Sequence, residues 1–293
     1  MEPIRLTDLH GLPKVRDSWS FLYLEDITVD RDTHGLCARN ASGEWEIPSA
    51  MLLALLLGPG TSITQGAMQV ISETAATVVW VGEQGVRTYA SGRSATKGAS
   101  NLLRQVSAWS NHENRIEVVR RMYSLRFGES VAGGSVEELR GREGVRVRDA
   151  YARLAASHGV PWSGRSFEAG ADKVNHCISW ANSCLYGVTA AAIHAMGYMP
   201  GLGFIHTGKA LSFVYDIADL YKIELGLPVA FEISKTVDGD ERAVRHAMRD
   251  AFFEGRLLER IPKDLDQLFE GFRPLGEVDY DLPIFQSADW LDP

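Results

Sequence analysis

The sequence predicts an α+β fold, in which a small N-terminal β-rich domain is followed by a larger all-helical C-terminal domain. Two observations carry that prediction. Up to about residue 90 the apolar residues fall in short β-branched and aromatic runs, whereas from about residue 99 they recur at three- and four-residue spacing. Between the two regimes, Ser91-Gly92-Arg93-Ser94-Ala95-Thr96-Lys97-Gly98 is small and polar, which suits a connection. The expected organisation is a β-rich domain over residues 1–90, a linker over 91–98, a helical domain over 99–263 and an acidic tail over 264–293.

Within the first domain, residues 21–29 read as one strand and residues 44–48 alternate as a second. Short helices are expected near residues 49–57 and 65–75. Residues 78–81 and 86–89, separated by Gly82-Glu83-Gln84-Gly85, read as a hairpin. In the second domain helices are expected over residues 99–126, 136–158, 172–196, 212–223, 228–235 and 241–259. Gly159, Gly197 and Asp238-Gly239-Asp240 supply stops. Ser135-x-x-Glu138 has the capping-box pattern, in which each side chain satisfies a backbone N–H that the first helical turn leaves unpaired. Residues 271–293, with Pro274 and Pro283 among many acids, read as extended.

Composition narrows the function. At 293 residues, with 45% hydrophobic and 23% charged, the chain has the make-up of a soluble globular protein. The longest apolar run, residues 51–57, is far shorter than the ~18 residues a bilayer demands, so no membrane span is expected. The first residues lack a basic, apolar leader, and Cys37, Cys177 and Cys184 form no C-x-x-C pair, so a reduced cytoplasm is expected. A net charge of −8 taken alone argues against nucleic acid as a partner, but its distribution matters more than the sum, and on charge alone that distribution reads as a solvated helix face beside an acidic tail. Residues 87–148 carry twelve basic against six acidic side chains, and residues 264–293 carry one arginine against eight acids. The acidity is gathered in the tail.

Two features could carry chemistry. Along the helix beginning at Val136, the face bearing Leu139, Val147, Ala150, Tyr151 and Leu154 is interrupted by Glu143. A carboxylate there needs a cation, and either a basic side chain or a metal satisfies the pattern. Further on, a small-residue loop delivers His206, followed by a helix that carries Asp216 and Asp219 within one turn. Glu143, Asp219 and His206 offer two oxygens and one imidazole, a set that suits Mg²⁺ or Mn²⁺ and leaves room for water and phosphate. Thr207-Gly208-Lys209 lacks the Gly-x4-Gly-Lys pattern of a phosphate-binding loop. Cys177 and Cys184 read as core, and Arg242, Arg245 and Arg249 form a basic stripe, a solvated face or a phosphate track.

Taken together, residues 140–148 (Arg-Gly-Arg-Glu-Gly-Val-Arg-Val-Arg), 183–187 (Ser-Cys-Leu-Tyr-Gly), 203–209 (Gly-Phe-Ile-His-Thr-Gly-Lys) and 211–219 (Leu-Ser-Phe-Val-Tyr-Asp-Ile-Ala-Asp) resemble the CRISPR-associated integrase-nuclease Cas-one of subtype I-E. The resemblance runs over residues 16–260. It implies an N-terminal β domain that dimerises and a helical domain holding Mg²⁺ or Mn²⁺ on Glu143, His206 and Asp219, with Asp216 as a supporting acid. It also implies two such dimers assembled around a dimer of the small partner Cas-two. The implied activity is insertion of foreign DNA fragments into a CRISPR array, a 3′-hydroxyl attacking a phosphodiester of the repeat. By the same resemblance Tyr186, Lys209 and Tyr215 hold a single-stranded fragment end, and Arg87, Arg242 and Arg245 contact the DNA backbone. Leu24 stands where the family carries a tyrosine that caps a duplex end, with Tyr23 one residue earlier. The alternative is a non-catalytic DNA-binding subunit of an integration complex, in which Glu143 and Asp219 form salt bridges.

Overall fold

The computed structural model describes residues 20–275 except 34, 48, 50–51, 75, 86, 94–97, 167–170 and 237–239. The centre of the expected linker, the tail from residue 276 and the turn at Asp238-Gly239 therefore lie outside the described residues.

Among the described residues, the N-terminal part forms two four-stranded sheets. One takes the order β1 (Ser20–Leu24), β5 (Leu52–Leu57), β7 (Thr77–Val81), β8 (Thr88–Arg93), and the other β4 (Gly43–Ile47), β3 (Gly35–Asn40), β2 (Thr28–Asp32), β6 (Ser62–Ile63). The expected single strand over residues 21–29 is two strands in different sheets, because Asp26 takes a left-handed φ of 53° and turns the chain between them. The helix expected near 49–57 is a correction of another kind. Residues 52–57 form β5, paired in parallel with β1 and β7. All six are buried, Leu53 and Leu56 joining the core under the helices and Leu52, Leu55 and Leu57 the core between strands and α1 (Gln65–Glu73). A strand covered on both faces loses the alternation that would distinguish it from a helix. β7 and β8 pair antiparallel as expected, but β8 runs on through residues 91–93, so the first part of the expected linker is strand.

Leu24 is buried and cannot present itself at a duplex end, while the Tyr23 hydroxyl donates to Glu25 Oε2 at 2.5 Å.

The helical part is built around α5 (Lys173–Met196), whose Asp172 N-cap accepts from the Asn175 amide and whose C-terminus closes on Gly197 at φ 78°. Val174, Cys177, Ile178, Ala181, Leu185 and Ile193 are buried along it, and it packs against β5, β7, β8 and the later helices. The expected helix over 99–126 is two, α2 (Ser100–Ser110) and α3 (His112–Phe127). Asn111 breaks them: its backbone is extended and its side chain accepts from the Asn114 amide, capping α3. α4 (Val136–His158) starts on the Ser135/Glu138 capping box with both reciprocal bonds formed. α6 (Ser212–Ala218) ends earlier than expected, before a wide turn at Lys222–Gly226 that leads into α7 (Leu227–Ser234).

α8 (Glu241–Glu254) is followed by α9 (Leu257–Leu268), where the sequence suggested a tail from residue 264. Leu257, Ile261, Leu265 and Leu268 are fully buried on one face of α9, while Lys263, Asp266 and Gln267 face water. Pro262 inside the helix and the flanking acids obscure that stripe in the sequence. Phe269, at the end of α9, completes an aromatic cluster with Tyr198, Phe204 and Phe213, at ring-centre distances of 5.0, 5.7 and 6.1 Å.

The three cysteines are free and buried, and burial pushes the Cys184 thiol up to about 12, so it packs as a small apolar group. Among the described residues no helix is long and apolar enough to cross a membrane. Phe269→Ala removes a fully buried ring and is expected to cost about 3–5 kcal/mol, read as a lowered midpoint in thermal or urea unfolding.

Candidate metal and DNA site

Asp216, on α6, is fully buried and organises the loop before it. Its Oδ2 accepts from the backbone amides of Phe204 (2.6 Å) and Ile205 (3.0 Å), and its Oδ1 from the amide of His206 at 2.9 Å. Oδ1 also accepts from His206 Nδ1 at 2.7 Å. Three successive amides are thus gathered by one carboxylate, and the imidazole is oriented with Nε2 turned away from Asp216. The carbonyls of the same loop are held from the opposite side. Gln105 Nε2 donates to the carbonyls of Met199 and Leu202, Trp109 Nε1 to Gly203, Arg115 to Phe204 and Arg140 to Ile205, each at 3.0–3.2 Å. Gly203 is needed where it stands, because a Cβ there would lie 2.2 Å from the His206 carbonyl oxygen.

Glu143, from α4, and Asp219, one residue past α6, reach the same place. Both flank the guanidinium of Arg126, with Nη1 4.0 Å from Glu143 Oε1 and Nη2 3.6 Å from Asp219 Oδ2. His206 Nε2 lies 3.9 Å from Asp219 Oδ2. Arg146 Nη1 is 3.5 Å from Glu143 Oε2, and Lys222 donates to Asp219 Oδ1. Burial opposes the charge on Lys222, but the Asp219 carboxylate outweighs it and holds the ammonium above the ordinary lysine range. Both readings of Glu143 therefore find a counterpart: the carboxylate faces arginines, and it does so beside His206 and Asp219.

The donor set tests well by its chemistry and less well by its spacing. Two carboxylates and one imidazole suit Mg²⁺ or Mn²⁺, whose neighbouring ligand atoms sit about 3 Å apart at the usual bond lengths. The His206 and Asp219 atoms approach that separation, whereas Glu143 stands beyond the guanidinium. Among the described residues no three His, Cys, Asp or Glu side chains are gathered closely enough to hold an ion as they stand. Binding at these three residues requires the Glu143 side chain to move inward.

Beside the carboxylates lies an aromatic pair. Tyr186, on α5, and Tyr215, on α6, meet edge to face at 4.9 Å, and Tyr215 also stands 5.9 Å from the His206 ring. Lys209 Nζ and Lys222 Nζ lie 5.9 and 5.8 Å from the Tyr215 and Tyr186 ring centres. Burial raises the Tyr186 hydroxyl above its ordinary range, keeping it neutral. The predicted backbone-contacting arginines form a separate group. Arg87 and Arg245 both pair with Glu241 Oε1, at 3.2 and 3.1 Å, Arg245 pairs again with Glu83 Oε2 at 3.1 Å, and Arg242 is exposed on α8 next to them. The Thr88 hydroxyl, adjoining Arg87, donates to the Gly187 carbonyl at 2.8 Å, so this group borders the Tyr186 end of the site.

Sequence reasoning missed Arg126 and Lys222. Lys222 lies three residues past Asp219, a spacing that does signal an ion pair on a helix. Arg126 sits in a basic run with Arg120 and Arg121 at the end of α3 and carries no local sign of its burial.

The family model of the CRISPR associated protein Cas1 matches residues 127–236. A CRISPR-associated endonuclease Cas1 of Thermus thermophilus is 48% identical over 270 residues, covering 90% of this chain and 83% of that protein. One from Escherichia coli is 45% identical over 277 residues, covering 92% and 89%. The crystal structure of a TtCas1–DNA complex superposes with a TM-score of 0.83 at 48% identity, covering 89% of this chain and all of that one.

Asp216→Asn places an amide NH₂ against donors that the carboxylate now accepts. It is expected to lower stability by about 1.5–3 kcal/mol, read as a drop in the unfolding midpoint.

Proposed function

Because the chain belongs to the Cas1 (Cas-one) family, we propose that it is a metal-dependent DNA endonuclease and integrase of subtype I-E that inserts DNA fragments into a CRISPR array. The observation that carries this reading is the approach of Glu143, His206 and Asp219, from three separate segments, beside the Tyr186–Tyr215 pair. Glu143, His206 and Asp219 would hold Mg²⁺ or Mn²⁺, whose chemistry would be charge neutralisation at the scissile phosphate.

The protein's own groups set up the rest. Asp216 fixes the His206 tautomer and orientation, with Nε2 presented toward Asp219. Tyr186 and Tyr215 offer faces and edges for an unpaired base of the fragment end, a contact worth about 1–3 kcal/mol per base. Lys209, over Tyr215, places a positive charge where the adjoining phosphate lies. Arg87, Arg242 and Arg245 follow the backbone, giving affinity without reading sequence. The fragment's 3′-hydroxyl attacks a phosphodiester of the repeat directly: its oxygen forms a new P–O bond and gives up its proton, while the repeat strand's own 3′-oxygen leaves the phosphorus and takes up a proton as a free 3′-hydroxyl. The N-terminal sheets serve dimerisation, and two dimers join through a dimer of Cas-two.

One observation favours a second reading. Glu143 and Asp219 are each matched by basic groups, Arg126 and Arg146 for the first and Arg126 and Lys222 for the second. A non-catalytic DNA-binding subunit needs no more than those ion pairs.

Asp219→Ala separates the two readings. The integrase reading predicts loss of Mg²⁺- or Mn²⁺-dependent strand transfer from a short duplex into a repeat-bearing DNA, with the circular dichroism spectrum unchanged, whereas unaltered transfer establishes the scaffold. Arg242→Ala is expected to weaken DNA binding evenly across sequences and to reduce the slope of log affinity against log salt by about 1, measured by fluorescence anisotropy.

A further inference from the structure

The side chain of Arg126 is 3% exposed, and it has anchors other than the carboxylates it faces. Its Nη2 donates to the Asp216 carbonyl at 3.0 Å and its guanidinium lies 5.4 Å from the centre of the Tyr123 ring. Its Nε is buried without a hydrogen-bond partner. The approaches to Glu143 and Asp219, 4.0 and 3.6 Å, are too long for hydrogen bonds. The guanidinium is thus anchored by main chain and aromatic ring and acts on the two carboxylates through charge, leaving their lone pairs uncommitted to it. A guanidinium does not lose its proton in a protein, so the charge is permanent. Without it, two carboxylates drawn toward one point repel each other inside a partly buried site, where repulsion is stronger than in water. Arg146 and Lys222, at 32% and 21% exposure, lie nearer water, and each touches only one of the pair.

We infer that Arg126 is a positioning residue, a fixed buried charge that draws Glu143 and Asp219 toward one place, so that only the Glu143 side chain has to shift for both to meet a divalent cation. The inference rests on the assignment of those two residues as metal ligands. The guanidinium lies between the two carboxylates, one Nη toward each, and attracts both through charge. Through the Asp216 carbonyl it also ties the carboxylate pair to the element that orients His206.

The test is a titration of full-length protein with Mn²⁺, followed by the electron paramagnetic resonance signal of the free ion, for wild type, Glu143→Gln, Arg126→Gln and Arg126→Lys. Arg126→Gln is expected to weaken Mn²⁺ binding about 10- to 100-fold, as loss of a group that orients metal ligands does. Arg126→Lys is expected to recover most of that loss, because it restores the charge. Mn²⁺ binding by Arg126→Gln equal to or tighter than wild type overturns the inference, as does a Lys variant no better than the Gln variant. Glu143→Gln tells the two failures apart: if it weakens Mn²⁺ binding while Arg126→Gln does not, only the role of Arg126 falls. If neither changes it, the metal assignment falls as well. Should Arg126→Gln fail to fold, the Arg126→Gln/Glu143→Gln double variant is expected to fold again, since one of the repelling charges is gone; an unfolded double variant overturns the inference.

Discussion

The site depends on one buried carboxylate. Asp216 has no exposed surface, and a charge in that position is tolerated only when its lone pairs are filled. They are filled by three consecutive backbone amides and the His206 ring, which makes an irregular loop as well bonded as a helix turn. The loop carbonyls then need donors, and Gln105, Trp109, Arg115 and Arg140 supply them from α2, α3 and α4. The position of His206, 3.9 Å from Asp219, is therefore set by four separate elements. The same logic explains Gly203, whose missing side chain lets the loop close on itself.

Around that anchor the structure balances charge. Two carboxylates, two arginines and a lysine share a small, partly buried volume, and the aromatic rings of Tyr123, Tyr186 and Tyr215 line its walls. Removing Glu143 takes from Arg146 its ion pair, and removing Asp219 takes that of Lys222, and an unpaired buried charge is costlier than a lost pair is valuable. Asp219, the His206 imidazole and the aromatic pair are neighbours in this balance, and Glu143 faces them across the Arg126 guanidinium. The chain, with net charge −8, carries a locally basic region over residues 87–148, and Arg126 and Arg146 of that region stand among these carboxylates.

Much of this was legible in the sequence, and the exceptions have physical causes. The α+β division, the capping box of α4 and the span of α5 follow from local signals, caps and periodicity, that act over a few residues. Glu143 stood out because a charge broke an apolar stripe, and His206, Asp216 and Asp219 because of close spacing and a resemblance in motif. β5 was misread because a strand covered on both sides has no alternation to display, and α9 because a proline and several acids masked its buried face. Arg126 was invisible: its importance comes from burial against residues 17 and 93 positions away, and no local pattern encodes that. The core under the helices also takes in Leu53, Leu56 and Val79 of the first sheet, so the connection near residue 91 joins parts that pack together.

The central claim is that Glu143, His206 and Asp219 bind one divalent cation together. Anomalous diffraction from crystals soaked in Mn²⁺, collected at the manganese edge, tests it most directly. A single peak ligated by Glu143, His206 Nε2 and Asp219, with Arg126 still on the Asp216 carbonyl, is the predicted result. A map with no peak there and Glu143 still turned to its arginines contradicts the account and leaves a charged scaffold in its place.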